Sequence, residues 1–228
     1  MTGFVFAPPL PVSVMVTDGR LFPVRRIFCV GRNYASHARE MGNDPNREPP
    51  FFFTKPADAL VPAGQDVPYP SETKTVHHEI ELVVAIGTAG RRIDSDEALS
   101  HVFGYSIGID LTRRDMQDEA KSLRRPWDMS KGFDASAPIG EIAPASAIGH
   151  PAEGRIALSV NGVHRQEGDL ADQIWPVADI IEILSRLVAL APGDLIFTGT
   201  PAGVNTILPG DVLEGEISGV GTLRCRIV

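Results

Sequence analysis

The sequence predicts a chain of many short strands joined by tight turns. Three observations predict it. The 22 Gly and 19 Pro are spread along all 228 residues rather than clustered, which is the composition of frequent turns. Short apolar runs such as RIFCV and DLIF end in turn residues, as buried strands do. Asn161-Gly162 lies between an alternating run and a returning one, the strongest short-range hairpin signal.

Taken in order, residues 1–23 read as an N-terminal arm, with residues 24–228 as one domain. Pro8, Pro9 and Pro11 favour extended backbone in the arm, and Val12 to Val16 suits an edge strand. Arg26 to Val30 is a short buried strand that ends in the turn Gly31-Arg32-Asn33-Tyr34. In ASHAREMG, His37 and Glu40 share a helical face, and Gly42 with Asn43-Asp44-Pro45 stops the helix. Such a pair can be catalytic, the carboxylate raising the basicity of the imidazole, or an incidental pair on an exposed turn. The proline-rich loop 43–50 is a candidate lid. Phe51 to Phe53 reads as a strand, and Lys55 after it either reaches into a site or blunts an edge.

The stretch from His77 to Asp115 organises the rest. Glu79 and Glu81 stand two apart in HHEIELVVAIG, so on one strand both carboxylates face the same way. Asp110 ends a second apolar run, YSIGID. If the two runs are neighbouring strands, three carboxylates converge. Hard oxygen ligands without Cys suit Mg2+, Mn2+ or Ca2+ better than zinc. The competing reading is the solvated face of an amphipathic strand. Carboxylates at the mouth of a buried strand, however, must be paired or hold a cation.

LTRRDMQDEAKSL has helical composition. Arg113 and Arg114 at its start oppose the helix dipole, which points to an electrostatic job elsewhere or to a solvated face. Residues 124–136 look irregular, and Lys131 there reads either as a solvent lysine or as a cation beside the carboxylates. Arg155 to Val160 and VHRQEG form the hairpin about Asn161-Gly162. Residues 176–190 form a scaffold helix, with Val177, Ile180, Ile181, Leu184, Leu187 and Val188 on its apolar face. Asp194 to Phe197 is a buried strand that opens into TGTPAGV, a loop whose amides can grip an anion. The last twenty residues read as two strands around a Gly-rich turn.

Composition excludes some functions. A formal charge of -8 with no basic run argues against nucleic acid and anionic membranes as partners. No segment approaches a membrane span, and the proline-broken N-terminus lacks the basic start of a signal peptide. Cys29 and Cys225, far apart in strand-like contexts, read as buried free thiols in a reducing, cytoplasmic setting.

Seven segments in order resemble the fumarylacetoacetate hydrolase family: VGRNYASHAREMG, FFFTKPADALV, VHHEIELVVAIG, GYSIGIDLTRRDMQ, PWDMSKGFDASAPIG, LSVNGVHRQEG and GDLIFTGTPAGV. The likeness runs from about Arg26 to the C-terminus. It is greatest to the acylpyruvate hydrolase branch, in particular to the fumarylpyruvate hydrolases of aromatic-compound breakdown. The resemblance implies a mainly β (α+β) fold, a roll of mixed sheets with few helices. It implies Mg2+ or Mn2+ held by Glu79, Glu81 and Asp110, a His37–Glu40 dyad and an active-site Lys131. Gln117 and Thr200 map to substrate contacts, and Arg114 and Lys55 fall in matching motifs with roles less defined. The implied reaction is hydrolysis of the C–C bond of a 2,4-dioxo acid, here fumarylpyruvate, by a homodimer. The same machinery serves oxaloacetate decarboxylases and tautomerases and hydroxymuconate-type isomerases. A non-catalytic metal- or dicarboxylate-binding protein would need neither the dyad nor Lys131. Asn205 departs from the glycine usual after TGTPAGV and puts the local loop shape in question. A fumaryl tail needs a cation, for which Arg32, Arg47, Arg124 and Arg125 are the candidates.

Overall fold

A computed structural model describes residues 3–36 and 49–228. The fold is mainly β, as expected, and is centred on an eight-stranded mixed sheet. Its strands run in the order Phe51–Lys55, Arg26–Gly31, Asp194–Phe197, Ile80–Ile86, Val102–Ile109, Ala137–Ile139 and Leu60–Pro62, with Ala143–Pro144 also pairing on Val102–Ile109. Ile80–Ile86 lies antiparallel to Val102–Ile109, with Ile80 opposite Ile109 and Glu81 opposite Gly108. That register sets Asp110 beside the mouth where Glu79 and Glu81 enter.

Alternation divides the central strand between two cores. Ile80, Leu82, Val84 and Ile86 join the larger apolar cluster. Val83 and Ala85 join the smaller one with Ile27, Cys29, Leu195 and Phe197. The larger cluster is closed by a four-stranded antiparallel sheet, in which Arg155–Val160 pairs with both Val163–Asp169 and Val212–Ile217, and Gly221–Arg226 forms the far edge. The hairpin between the first two turns at Asn161 and Gly162, whose φ values of 53° and 74° are the left-handed pair a type I′ turn requires.

Three elements differ from the sequence reading. HHEIELVVAIG is not one strand. Val76–His78 pairs with Asn205–Ile207 and Thr112–Arg113 in a three-stranded sheet, while Ile80–Ile86 belongs to the central one. The chain changes sheets at Glu79, whose carbonyl accepts Asp110 N–H at 2.8 Å. The scaffold helix runs Val177–Leu187 rather than to 190, because Val188 is extended and Leu190 exchanges backbone hydrogen bonds with Gly90. Lys131 is not in irregular chain but closes a short helix, Asp128–Lys131, and is buried.

Ser13–Met15 and Leu21–Pro23 form a small hairpin that buries Val14, Val16 and Phe22 in the smaller core. Phe4, Val5, Phe6 and Leu10 before it are exposed. Cys29 and Cys225 are free and buried. No described helix is long and apolar enough to cross a membrane.

Candidate metal centre and active site

Glu79, Glu81 and Asp110 are all buried, and each offers a ligand oxygen within 4.8 Å of the others'. The convergence follows from the register: Glu81 enters on the central strand, Glu79 sits at the change of sheet, and Asp110 leaves the neighbouring strand. Three buried carboxylates repel unless cations answer them. Lys131 Nζ lies 2.7 Å from Glu79 Oε2 and 2.6 Å from Asp110 Oδ2. Burial alone would lower the pKa of Lys131, but the charges of Asp110 and Glu79 outweigh it and hold the ammonium form. Arg114 Nη2 donates to Glu79 Oε1, which Thr112 Oγ1 also reaches at 3.2 Å. The two arginines at the helix start thus find work off the helix: Arg114 on Glu79, and Arg113 over the Phe133 ring at 4.5 Å.

Glu81 is held differently. Its Oε2 accepts the backbone N–H of Gly199 at 2.7 Å. Burial first, then the charges of Asp110 and Glu79, push its pKa well above the carboxylate range. A site whose third carboxylate prefers a proton is one a divalent cation would relieve, and its all-oxygen donors match Mg2+ or Mn2+. The TGTPAGV loop therefore turns an amide on a protein carboxylate. Gly199 has φ 98°, and a Cβ there would meet Asn33 Cβ at 2.7 Å, so the close approach needs glycine. Asn33 pins the same corner, donating to Thr198 O at 2.7 Å and Trp175 O at 3.0 Å and accepting Trp175 N–H at 2.7 Å.

Lys55 neither lines the cleft nor blunts an edge. It is buried behind the triad, with Nζ 2.8 Å from Asp110 Oδ1 in an ion pair that lacks hydrogen-bond alignment. It also donates to Leu111 O at 3.1 Å and to Lys131 O. One lysine therefore fixes both Asp110 and the backbone of the other lysine. Gln117 and Thr200 line the cleft beside the carboxylates. Gln117 Oε1 accepts from Arg114. Asn205 lies beyond the cleft, in the strand paired with Val76–His78. His37, Glu40 and Arg47 lie outside the described residues, as does the proposed lid except for its last two residues.

Two groups were not singled out in the sequence. Gln166, fully buried on the return strand of the hairpin, donates to Thr200 Oγ1 at 2.8 Å and Pro201 O at 2.9 Å. Its Oε1 accepts Ile80 N–H at 3.1 Å and faces His78 Nδ1 at 2.8 Å. The amide orientation is thereby fixed: its NH2 meets Thr200, leaving the threonine hydroxyl proton for the cleft. No local signal marked Gln166, which stands among polar residues in the sequence and is set apart only by its burial. Lys121, on the helix Arg114–Ser122, was the other, and it also lines the cleft.

The cleft above the triad opens to solvent, and the space in and over it amounts to about 460 Å3. The carboxylates, Arg114 and Lys131 line it together with Phe51, Phe53 and Trp127, and the centroid of the Phe53 ring lies 5.0 Å from Lys131 Nζ. Phe51 and Trp127 meet edge to face at 5.2 Å.

Residues 26–228 match the family model described as fumarylacetoacetate (FAA) hydrolase C-terminal. The crystal structure of fumarylpyruvate hydrolase from Pseudomonas aeruginosa, in complex with Mn2+ and pyruvate, is 52% identical, superposes with a TM-score of 0.97 and covers 99% of both chains. The mitochondrial oxaloacetate tautomerase of Bos taurus is 39% identical over 203 residues, 89% of this chain and 91% of that one. The 5-carboxymethyl-2-hydroxymuconate delta-isomerase of Mycobacterium smegmatis is 32% identical with a TM-score of 0.81, covering 92% of this chain and 85% of that one.

Proposed function

The chain belongs to the fumarylacetoacetate hydrolase family, and from that premise we propose a divalent-metal-dependent hydrolase that cleaves fumarylpyruvate to fumarate and pyruvate. The observation that carries this reading is the buried Glu79–Glu81–Asp110 cluster, set in an architecture shared across 99% of the chain with a fumarylpyruvate hydrolase.

A Mg2+ or Mn2+ ion held by the three carboxylates would supply Lewis-acid polarisation of the substrate's oxo-carboxylate end. Gln117 and the hydroxyl of Thr200 bind that end. Glu40 orients His37, which takes a proton from the attacking water. The resulting hydroxide adds to the C4 carbonyl, the C3–C4 bond breaks, its electron pair leaves on C3 as pyruvate enolate, and the proton held by His37 is returned to C3 to complete pyruvate. Lys131, already fixed by Glu79, Asp110 and Lys55, offers an N–H to the enolate oxygen. Arg114 positions Glu79 and Gln117 rather than the substrate.

The test is the ultraviolet absorbance of fumarylpyruvate followed with chelated protein and again after adding Mg2+ or Mn2+. The expected outcome is metal-dependent loss with one fumarate and one pyruvate formed per substrate. The tautomerase relative at 39% identity favours a second reading, oxaloacetate tautomerisation. Turnover of oxaloacetate with fumarylpyruvate left intact would install it.

The reading includes a cytoplasmic homodimer with residues 1–23 as its arm. The exposed Phe4, Val5, Phe6 and Leu10 support an arm that packs on something outside the described body. Light scattering of the full chain and of a variant lacking residues 1–11 tests this, a dimer that weakens on truncation being the expected result.

A further inference from the structure

Val163–Asp169 forms one edge of the four-stranded sheet, and its ladder with Arg155–Val160 carries a β-bulge. Val163 pairs with Val160 and His164 with Ser159, so a regular ladder would set Arg165 opposite Leu158. The register shifts there instead, and Gln166 takes that place. Leu158 belongs to the larger core, so the bulge turns Gln166 inward and leaves Arg165 exposed. The TGTPAGV loop is seated on the bulge. Gly203 has φ 96°, and a Cβ there would come within 2.2 Å of Arg165 O.

Inside, every hydrogen-bonding group of Gln166 has a partner. Its amide offers two N–H donors and an oxygen with two lone pairs. Pro201 O can only accept and Ile80 N–H can only donate, so these two contacts fix which end is nitrogen. The other N–H then donates to Thr200 Oγ1 at 2.8 Å, and the other lone pair faces His78 Nδ1 at 2.8 Å. Thr200 Oγ1 is thereby an acceptor toward Gln166, and its own hydrogen must point elsewhere. Thr200 lines the cleft with Glu81, Asp110 and Gln117. Gln117 is set in the same sense, its Oε1 taken by Arg114 and its NH2 left to donate. Ile80 stands between Glu79 and Glu81, and Gly199 N–H reaches Glu81 Oε2 at 2.7 Å. The loop is thus tied to the carboxylate segment at Gly199 and again, through Gln166, at Thr200.

We propose that Gln166 is a positioning residue of the active site: by donating to the Thr200 oxygen it fixes the threonine hydroxyl as a donor to the carboxylate of a 2-oxo acid. This rests on the oxo-carboxylate role given to Thr200 above and adds what makes the hydroxyl a donor there. A free threonine hydroxyl rotates and can present its lone pairs to the cleft, and a lone pair repels an anion. Gln166 removes that option before substrate arrives. The contact is present in bound substrate and in the transition state alike, so its loss falls on KM more than on kcat.

The experiment is a double-mutant cycle between Gln166→Glu and Thr200→Val in the Mn2+-loaded protein. It is read by calorimetric affinity for pyruvate and by KM and kcat for fumarylpyruvate. Gln166→Glu keeps the size of the side chain and the oxygen that faces Ile80 N–H, but puts an acceptor where the N–H met Thr200, which reverses the hydroxyl. A hydrogen bond to a charged group is worth a factor of about 10 to 100. Each single variant should weaken pyruvate binding and raise KM by about that factor, with kcat changed less. The double variant should lose no more than the worse single one, because Gln166 acts through a hydroxyl that Thr200→Val has already removed. Mn2+ affinity should not fall with it. Losses that multiply in the double variant, an unchanged pyruvate affinity in Gln166→Glu, or an equal loss of Mn2+ affinity would overturn the proposal. So would a parent protein that binds no pyruvate. A parent that binds pyruvate yet leaves fumarylpyruvate intact would overturn the hydrolase reading instead, and the pyruvate cycle would still decide the role of Gln166. Should Gln166→Glu fail to fold, the same cycle with Gln166→Met decides.

Discussion

At the scale of single residues, the centre is a balance between buried carboxylates and buried cations. Lys131 and Lys55 neutralise Asp110 from opposite sides, and Arg114 answers Glu79. Removing one partner leaves the other charge uncompensated in a buried site. Lys131→Met is therefore expected to lower turnover by at least about two orders of magnitude. Its loss of enolate stabilisation separates from misfolding if circular dichroism stays native while the rate falls. His37→Ala should lower turnover by about two to four orders of magnitude while Mn2+ affinity, read by calorimetry, stays near that of the parent. Near-normal turnover would remove the dyad from the mechanism. The triad was legible in sequence because Glu79 and Glu81 stand two apart and Asp110 ends the next apolar run, although Glu79 lies at the break between two strands and not on one with Glu81. Gln166 was not, because nothing local distinguishes a polar residue that orients Thr200 from one that faces water.

At the scale of elements, the two clearest turn and helix-start signals carry separable energies. The Asn161-Gly162 turn is strapped by Asn161 Oδ1, which accepts Val212 N–H at 2.9 Å, so the hairpin and the next strand share one anchor. Gly162 occupies φ 74° with open space around it, so Gly162→Ala meets only backbone strain. The expected cost is about 1 kcal/mol, checked by urea denaturation. The helix Arg114–Ser122 begins differently. Asp115 in its first turn accepts from Thr73 Oγ1 at 2.6 Å, Lys74 N–H at 2.8 Å and Met116 N–H at 2.9 Å, tying helix to loop. Burial works to raise its pKa, but these hydrogen bonds outweigh burial and hold it below the ordinary 3.8. The unfolded chain therefore binds a proton first on acidification. The stabilisation is fully present above pH 3.8 and is lost as pH falls below it through the folded pKa. Asp115→Asn should cost about 1 kcal/mol at pH 7, and the difference from the parent should close at acid pH. A difference that persists unchanged at low pH would mean the contribution is packing, not charge.

At the scale of the whole molecule, the metal site lies where the central sheet, the three-stranded sheet and the Asp128–Lys131 helix meet. Binding there ties separate elements to one ion and stabilises the native state alone. Mn2+ at about one hundred times its dissociation constant should add about 2.7 kcal/mol, a rise of about 5–10 °C in Tm for a domain of this size. Asp110→Asn should abolish that rise. An unchanged Tm in the parent protein would mean that no such binding occurs, and a rise retained in Asp110→Asn would place it elsewhere.

The sequence by itself determined the strand-rich class, the hairpin and the candidate carboxylates, because each is written in spacing and turn chemistry within short stretches, and it carried the family resemblance in seven ordered segments. Only the tertiary structure decided what those residues face. It broke HHEIELVVAIG into two strands at Glu79, since that residue bridges two sheets whose edges lie far apart in sequence. It turned Lys131 from a loop residue into a buried counter-ion and set Lys55 behind Asp110 rather than toward substrate. The physical reason is the same in each case: burial and charge pairing depend on which strands become neighbours, and that choice is made by long-range packing that no local pattern contains.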